Sequence, residues 1–287
     1  MIPVQAYLVF ASALAALLVT SSLSRHPPDG LRVRNFRGVE TPVTGGVVLL
    51  TGLIVAEAMA GLISQLFPAA FGSEFRLLEI PPGSNLPVLA LALGFFALGA
   101  VDDLAGSGAA KGLLGHLRAL LRGKVTGGIV KAGGGLALSF VISLSEVPSL
   151  GRAILNAILI SLSANLFNLL DLRPGRSTKL FIVGAIPLLL LASFRGIYLL
   201  VLATLVGAAL GWLPADLKER GMLGDSGANM LGAVVGAGAV LRLGTQGKLL
   251  MLGTLVVLTL VSEKWSFSAI IERFPPLRWF DRLGRMP

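Results

Sequence analysis

Long apolar runs separated by short polar joints constrain this chain more than any other feature. They fall at about 3–24, 43–66, 87–101, 125–147, 153–170, 179–194, 196–213, 226–243 and 249–262. A helix rises about 1.5 Å per residue and the hydrocarbon core of a bilayer is about 30 Å thick, so a crossing needs roughly 20 mostly apolar residues. The pattern predicts an all-α, polytopic membrane protein with about nine transmembrane helices, residues 1–287 forming one transmembrane domain. The third, sixth and eighth runs are short, and adjoining polar turns are expected to complete them. At 54% hydrophobic and 14% charged residues the chain is too apolar for a soluble domain of this length. Its 36 glycines fit the close approach of helices in lipid. The first run, Ile2 to Leu23, lacks a basic leader and a small-residue cleavage site and reads as a retained helix.

The net charge of +9 could suggest nucleic acid, but its placement argues otherwise. With the N-terminus outside, 18 of the 24 basic residues fall in inner segments and five in outer ones. That asymmetry is the positive-inside rule, so the basic excess is a topology signal and nucleic acid is not expected as a partner. The inner segments are loops at about 25–42, 102–124, 171–178 and 214–225 and a tail at about 263–287. The outer side carries short turns and a compact excursion from Phe67 to Asn85. There is no Cys, which excludes disulfides, thiolate metal sites and a cysteine nucleophile within this chain.

Nearly every polar motif falls on the inner side. The third run ends in Asp102-Asp103, a pair that can bind Mg²⁺ or accept a proton; adjacent helical residues diverge by about 100°, so two roles are expected. The basic segment that follows carries Lys111, whose ammonium suits a diphosphate, and also His116, Arg118, Arg122 and Lys124, which equally suit a membrane-edge loop. Lys131 enters the next run near enough to its end to snorkel, so both a structural and a functional reading stay open. Asn165, Asn168 and Asp171 recur every third residue at the end of the fifth run, offering oxygens on one face to a hard cation and its bound substrate. Arg173 and Arg176 follow immediately and extend this into an anion site. Gly224-Asp225-Ser226-Gly227 opens the eighth run, where glycines permit a tight turn and a helix N-terminus offers N–H groups. No GxSxG elbow is present, and Ser226 has no nearby His.

In this order the pieces resemble the polyprenyl-phosphate N-acetylhexosamine-1-phosphate transferase and phospho-N-acetylmuramoyl-pentapeptide transferase superfamily, glycosyltransferase family 4. Thr41-Pro42-Val43-Thr44-Gly45-Gly46 is similar to its PTPxxGG loop, Asp102-Asp103 with Lys111 to DDxxxxxxxK, the Asn165 to Asp171 stripe to NxxNxxDG, and Gly224 to Gly227 to GDxG. The resemblance covers about residues 30 to 265. It implies transfer of a sugar-1-phosphate from a UDP-sugar to polyprenyl phosphate with release of UMP, by an Mg²⁺-dependent enzyme of the bacterial inner membrane whose active-site cleft faces the cytosol. Asn168 and Asp225 would hold the metal and Lys111 would bind phosphate. Asp102 would act as base toward the acceptor, with Asp103 and Asp171 orienting metal or substrate. One-step and two-step routes are both compatible, and so is a homodimer.

The chain also departs from the family. Leu172 and Pro174 stand where NxxNxxDGxDG has its first Gly and second Asp, Arg37 replaces a histidine before the PTPxxGG loop, and the histidine-rich inner loop is missing. Arg173 and Arg176 are therefore expected to take over part of the phosphate or nucleotide recognition, with Asn165 beside the substrate. These departures motivate a second reading, a homologue that binds polyprenyl phosphate or an envelope-assembly partner without turnover. A secondary transporter would need midplane acids and repeated halves, and neither is found.

Overall fold

The structure is a computed structural model that describes residues 4–25, 31–66, 86–105, 126–147, 149–191 and 200–286, with isolated positions at 115, 119 and 121–123. Eleven helices and one hairpin are described. They are α1 (Val4–Arg25), β1 (Arg32–Arg34), β2 (Glu40–Pro42), α2 (Gly45–Leu66), α3 (Leu86–Ala105), α4 (Gly127–Glu146), α5 (Leu150–Leu170), α6 (Arg176–Leu191), α7 (Leu200–Leu217), α8 (Gly224–Arg242), α9 (Thr245–Lys264), α10 (Phe267–Arg273) and α11 (Pro275–Arg282). Helices α1 to α9 follow the nine apolar runs. The chain is thus an all-α polytopic membrane protein, although only seven of the described helices are long and apolar enough to cross a bilayer by themselves.

The two others are α6 and α8. Helix α6 is described for 16 residues and α8 for 19. Helix α8 has few large apolar residues because its neighbours are protein rather than lipid. It packs against α2, α3, α5, α6 and α7, and Ser226 to Val234 and Gly236 to Val240 are buried. On the α5 side a Cβ added at Gly232 would lie 2.7 Å from the Ala164 Cα, and one at Gly236 would lie 3.0 Å from the Ile160 Cα. Contacts of this kind hold helices together in lipid, where the hydrophobic effect does not discriminate between a neighbour and an acyl chain. Helix α9 is the contrast, with only Leu255 and Thr259 buried and an exposed stripe that includes Leu249, Leu250, Val256, Val257 and Leu260.

Among the described residues, several segments read from sequence as polar joints are ordered. Strands β1 and β2 pair antiparallel with Val33 opposite Thr41, closed by a turn in which the Asn35 side chain accepts from the Arg37 and Val39 amides. The Thr41 to Gly46 stretch then locks onto the turn before α8: Met222 N donates to Pro42 O at 2.8 Å, while Gly45 N and Gly46 N donate to Met222 O and Leu223 O, both at 3.0 Å. A Cβ at Gly45 would meet the Leu223 Cα and the Trp212 ring, so close passage of these two segments requires glycine there. Within the segment expected as a tail, residues 267–282 form the α10–α11 pair, and Asp281 anchors it to α6 through an ion pair with Arg176.

Candidate functional site

The C-terminal ends of α3 and α5 and the N-terminal ends of α4 and α8 converge at one end of the bundle. Asp102 and Asp103 diverge as adjacent helical residues must. Asp103 turns toward α8, where its Oδ1 accepts from Asp225 N at 2.9 Å and its Oδ2 from Ser226 N at 3.0 Å and Ser226 Oγ at 2.7 Å. A carboxylate at a helix N-terminus satisfies amides that have no partner within the helix and complements the helix dipole. Asp102 turns the other way, toward α4. There the Lys131 Nζ lies 2.7 Å from Asp102 Oδ2 and 2.6 Å from Asp225 Oδ2, one ammonium bridging two carboxylates.

Glycine makes this geometry attainable. The turn into α8 has φ of +77° at Gly224, a conformation that favours glycine, and a Cβ there would also run into Val43 and the Asp103 carboxylate. At Gly99, one turn before Asp102 on α3, a Cβ would overlap the Asp225 backbone. Helix α3 can thus lie directly against the first turn of α8, within reach of its amides.

Asp171 caps α5, and burial pushes its carboxyl well above the usual carboxylate range. The nearby Asp216 and Asp225 carboxylates push in the same direction, against a hydrogen bond from the Gly224 backbone. The Asn168 Nδ2 is buried without a hydrogen bond of good geometry, and its side chain lies beside Asp225. Asn165, one turn further back, is exposed. Of the stripe, therefore, Asn168 and Asp171 approach the carboxylates while Asn165 stays apart. Lys111 lies outside the described residues.

A shallow, solvent-open groove lies beside this cluster, between the β hairpin, the Asp171 to Pro174 turn and the Asp216 to Leu223 turn. Arg173 stacks its guanidinium on the Phe36 ring at 4.2 Å, and Arg37 pairs with Glu219 at 3.0 Å. A cation held over an aromatic face beside backbone and carboxylate groups can receive a planar ring and a phosphate together. Arg176 is placed differently from the expectation. It is only 6% exposed, with its Nε and a terminal nitrogen on the two Asp281 oxygens at 2.8 and 3.1 Å and the other terminal nitrogen on Ser268 Oγ at 3.1 Å. A guanidinium committed in this way serves the fold. Pro174 also has a structural partner, since its carbonyl accepts from Arg285 Nε at 2.8 Å.

Among the described residues no three His, Cys, Asp or Glu side chains converge as a ready-made metal cluster. Mg²⁺ is commonly bound by one or two carboxylates together with substrate phosphates, rather than by an all-protein cage. Two carboxylates already gathered around one cation, with the Asn168 carboxamide beside them, fit that requirement. Sequence reasoning left Lys131 open and missed Asp216, Glu219 and Phe36. A lysine inside an apolar run was the one available signal among these; the others come together only through the packing of turns.

Helices packed through small residues, with acids and amides gathered at one end of the bundle, make a membrane-embedded protein with a polar site at its helix ends. Residues 85–242 match Glycosyl transferase family 4, and this chain belongs to that family as a divergent member. The match runs from the start of α3 to the end of α8 and so contains Asp102, Asp103, Lys131, Asn168, Asp171 and Asp225. The chain is also similar to the phospho-N-acetylmuramoyl-pentapeptide-transferase of Desulforudis audaxviator (strain MP104C), with 29% identity over 276 residues, covering 88% of this chain and 74% of the relative.

Proposed function

We propose that the protein transfers a sugar-1-phosphate of the N-acetylhexosamine type from a UDP-sugar to polyprenyl phosphate, releasing UMP, and does so with Mg²⁺. The observation that carries this reading is the Asp102–Lys131–Asp225 bridge inside the family-matched segment. A phosphate oxygen of the acceptor attacks the sugar-bound phosphorus, a new P–O bond forms, and the bond to the UMP oxygen breaks. When bound, Mg²⁺ would neutralise the donor diphosphate and the charge growing on the leaving group. Asp225 and Asn168, with Asp102 beside them, would hold it. Lys131 then exchanges its carboxylate partners for phosphate oxygens, and Asp102 keeps the acceptor phosphate deprotonated. The groove at Phe36 and Arg173 suits the nucleotide, and Asp103 maintains the helix contact on which the rest depends.

The bilayer context of this reading is a bacterial inner membrane with the motif-bearing end facing the cytosol, as the charge asymmetry favours. That end places the reacting groups where a lipid phosphate and a water-soluble donor meet. One observation favours a second reading, in which a homologue binds polyprenyl phosphate without turnover: both carboxylates are already paired with Lys131. Incubating the purified protein with Mg²⁺, undecaprenyl phosphate and a panel of nucleotide sugars distinguishes the two. Release of UMP with a lipid-linked product supports the transferase. Lipid binding without UMP from any donor supports the second reading.

A further inference from the structure

The α10–α11 pair presents a surface that neither the family match nor the proposed reaction uses. In α11 and its cap, Pro276, Trp279, Phe280 and Leu283 recur at the spacing of one helical face, while Arg278 and Arg282 lie on the other side. Asp281, 5% exposed, is held by Arg176, and Lys179 Nζ donates to the carbonyls of Phe280 at 2.8 Å and Asp281 at 2.7 Å. These contacts fix how α11 is turned. They leave Trp279 67% exposed, with Leu283 exposed beside it and Trp265 59% exposed at the start of the pair.

Two observations say what covers this surface. The exposed apolar stripe of α9 leads directly into Trp265, and a spanning helix of this kind is covered by acyl chains up to its end. Lys264, Arg273 and Arg278 flank the exposed tryptophans in the chain, while Arg282 pairs with Glu272 at 2.8 Å. Tryptophan with arginine next to an apolar face is the composition of a helix lying in the membrane–water interface. We infer that α10 and α11 lie on the bilayer surface at the motif-bearing end, with Trp279 and Leu283 at the acyl boundary and Arg273 and Arg278 on anionic headgroups. This inference rests on membrane embedding and not on the proposed reaction.

The full chain has no cysteine, so single labels are specific. Trp279→Cys and Glu272→Cys, each carrying an environment-sensitive nitrobenzoxadiazole, are reconstituted into bilayer nanodiscs of phosphatidylcholine and phosphatidylglycerol. Brominated acyl chains are expected to quench the label at 279 several-fold more than that at 272, and aqueous iodide to do the reverse. Replacing phosphatidylglycerol by phosphatidylcholine, or introducing Arg273→Gln with Arg278→Gln, should move the 279 label toward water. Equal iodide access at both positions would overturn the surface assignment. Shielding of 279 from iodide without quenching by brominated chains would overturn it in favour of a protein partner, and indifference to lipid charge would overturn the role of the arginines. A Leu283→Cys label repeats the measurement should Trp279→Cys fail to fold.

Discussion

Replacing Lys131 by methionine tests the centre of the site, because it removes the ammonium while keeping most of the side chain's length. Two hydrogen-bonded ion pairs are lost, at 2.7 and 2.6 Å, and two carboxylates face each other without a shared cation. A hydrogen bond to a charged group contributes about 1.5 to 3 kcal/mol, and the partial exposure of all three side chains discounts the pair toward a total of about 3 kcal/mol. For a chain of this size that corresponds to a fall of roughly 6 to 10 °C in apparent melting midpoint. The diagnostic measurement is the response to metal. A divalent ion can take the place of the ammonium, and a ligand at about 100 times its Kd stabilises by about 2.7 kcal/mol. Thermal unfolding in detergent, with chelator or with Mg²⁺, should therefore show a larger Mg²⁺-induced rise for Lys131→Met than for the wild-type chain. An equal or smaller rise would refute the assignment of Asp225 as an oxygen donor to a metal, whatever happens to turnover.

Asp225→Asn and Asn168→Ala should each abolish most Mg²⁺-dependent UMP release while leaving membrane insertion intact, measured by product formation and by membrane fractionation. Because the Asp171 carboxyl is raised in the folded chain, its unfolded counterpart ionises first, near pH 4, so stability should fall as pH rises from there through the raised value. In chelator Asp171→Asn should flatten that dependence, and a melting midpoint that falls with pH as steeply in the variant would contradict it. Arg176→Lys, which loses the paired contact to Asp281, should lower thermal stability by about 1 to 3 kcal/mol with donor affinity nearly unchanged, whereas Arg173→Lys and Phe36→Ala should weaken donor binding roughly tenfold in a titration. A cysteine at Ser73 should react with an impermeant reagent in intact cells and one at Ser107 should not; the reverse would invert the orientation.

Much of the fold was legible because lipid imposes a length on every helix that crosses it. The nine apolar runs correspond to α1 to α9, including α8, whose weak hydropathy follows from having protein on nearly every side. The carboxylate cluster was legible from motif order, and the divergence of Asp102 and Asp103 from helical geometry alone. Arg176 was read as a ligand group because its neighbours are Asp171 and Arg173, while its actual partner, Asp281, lies 105 residues away in a segment without a long apolar run. The β hairpin was equally hidden: three-residue strands carry almost no periodic signal, and their order comes from the lock between Pro42 and Met222. Lys131 sits between these cases, since an isolated lysine near a helix end cannot be assigned until its partners are seen.

The enclosure of α8 has a consequence for how the protein tolerates change. A helix at the rim, such as α9, can exchange one large apolar residue for another on its outer side, because lipid accommodates whatever shape it meets. Helix α8 has almost no such side. In a saturation scan it would stand out as a band of intolerance around its full circumference, extending from Asp225 through Gly232 and Gly236. A methyl group added at Gly236 would lie 3.0 Å from Ile160 Cα and Ser163 Cβ, so α5 and α8 must give by a few tenths of an ångström, and that displacement is carried along a rigid rod to the carboxylate at its other end. Loss of activity from such a change would be easy to mistake for damage to the chemistry, although its origin lies about 16 Å away along the helix axis.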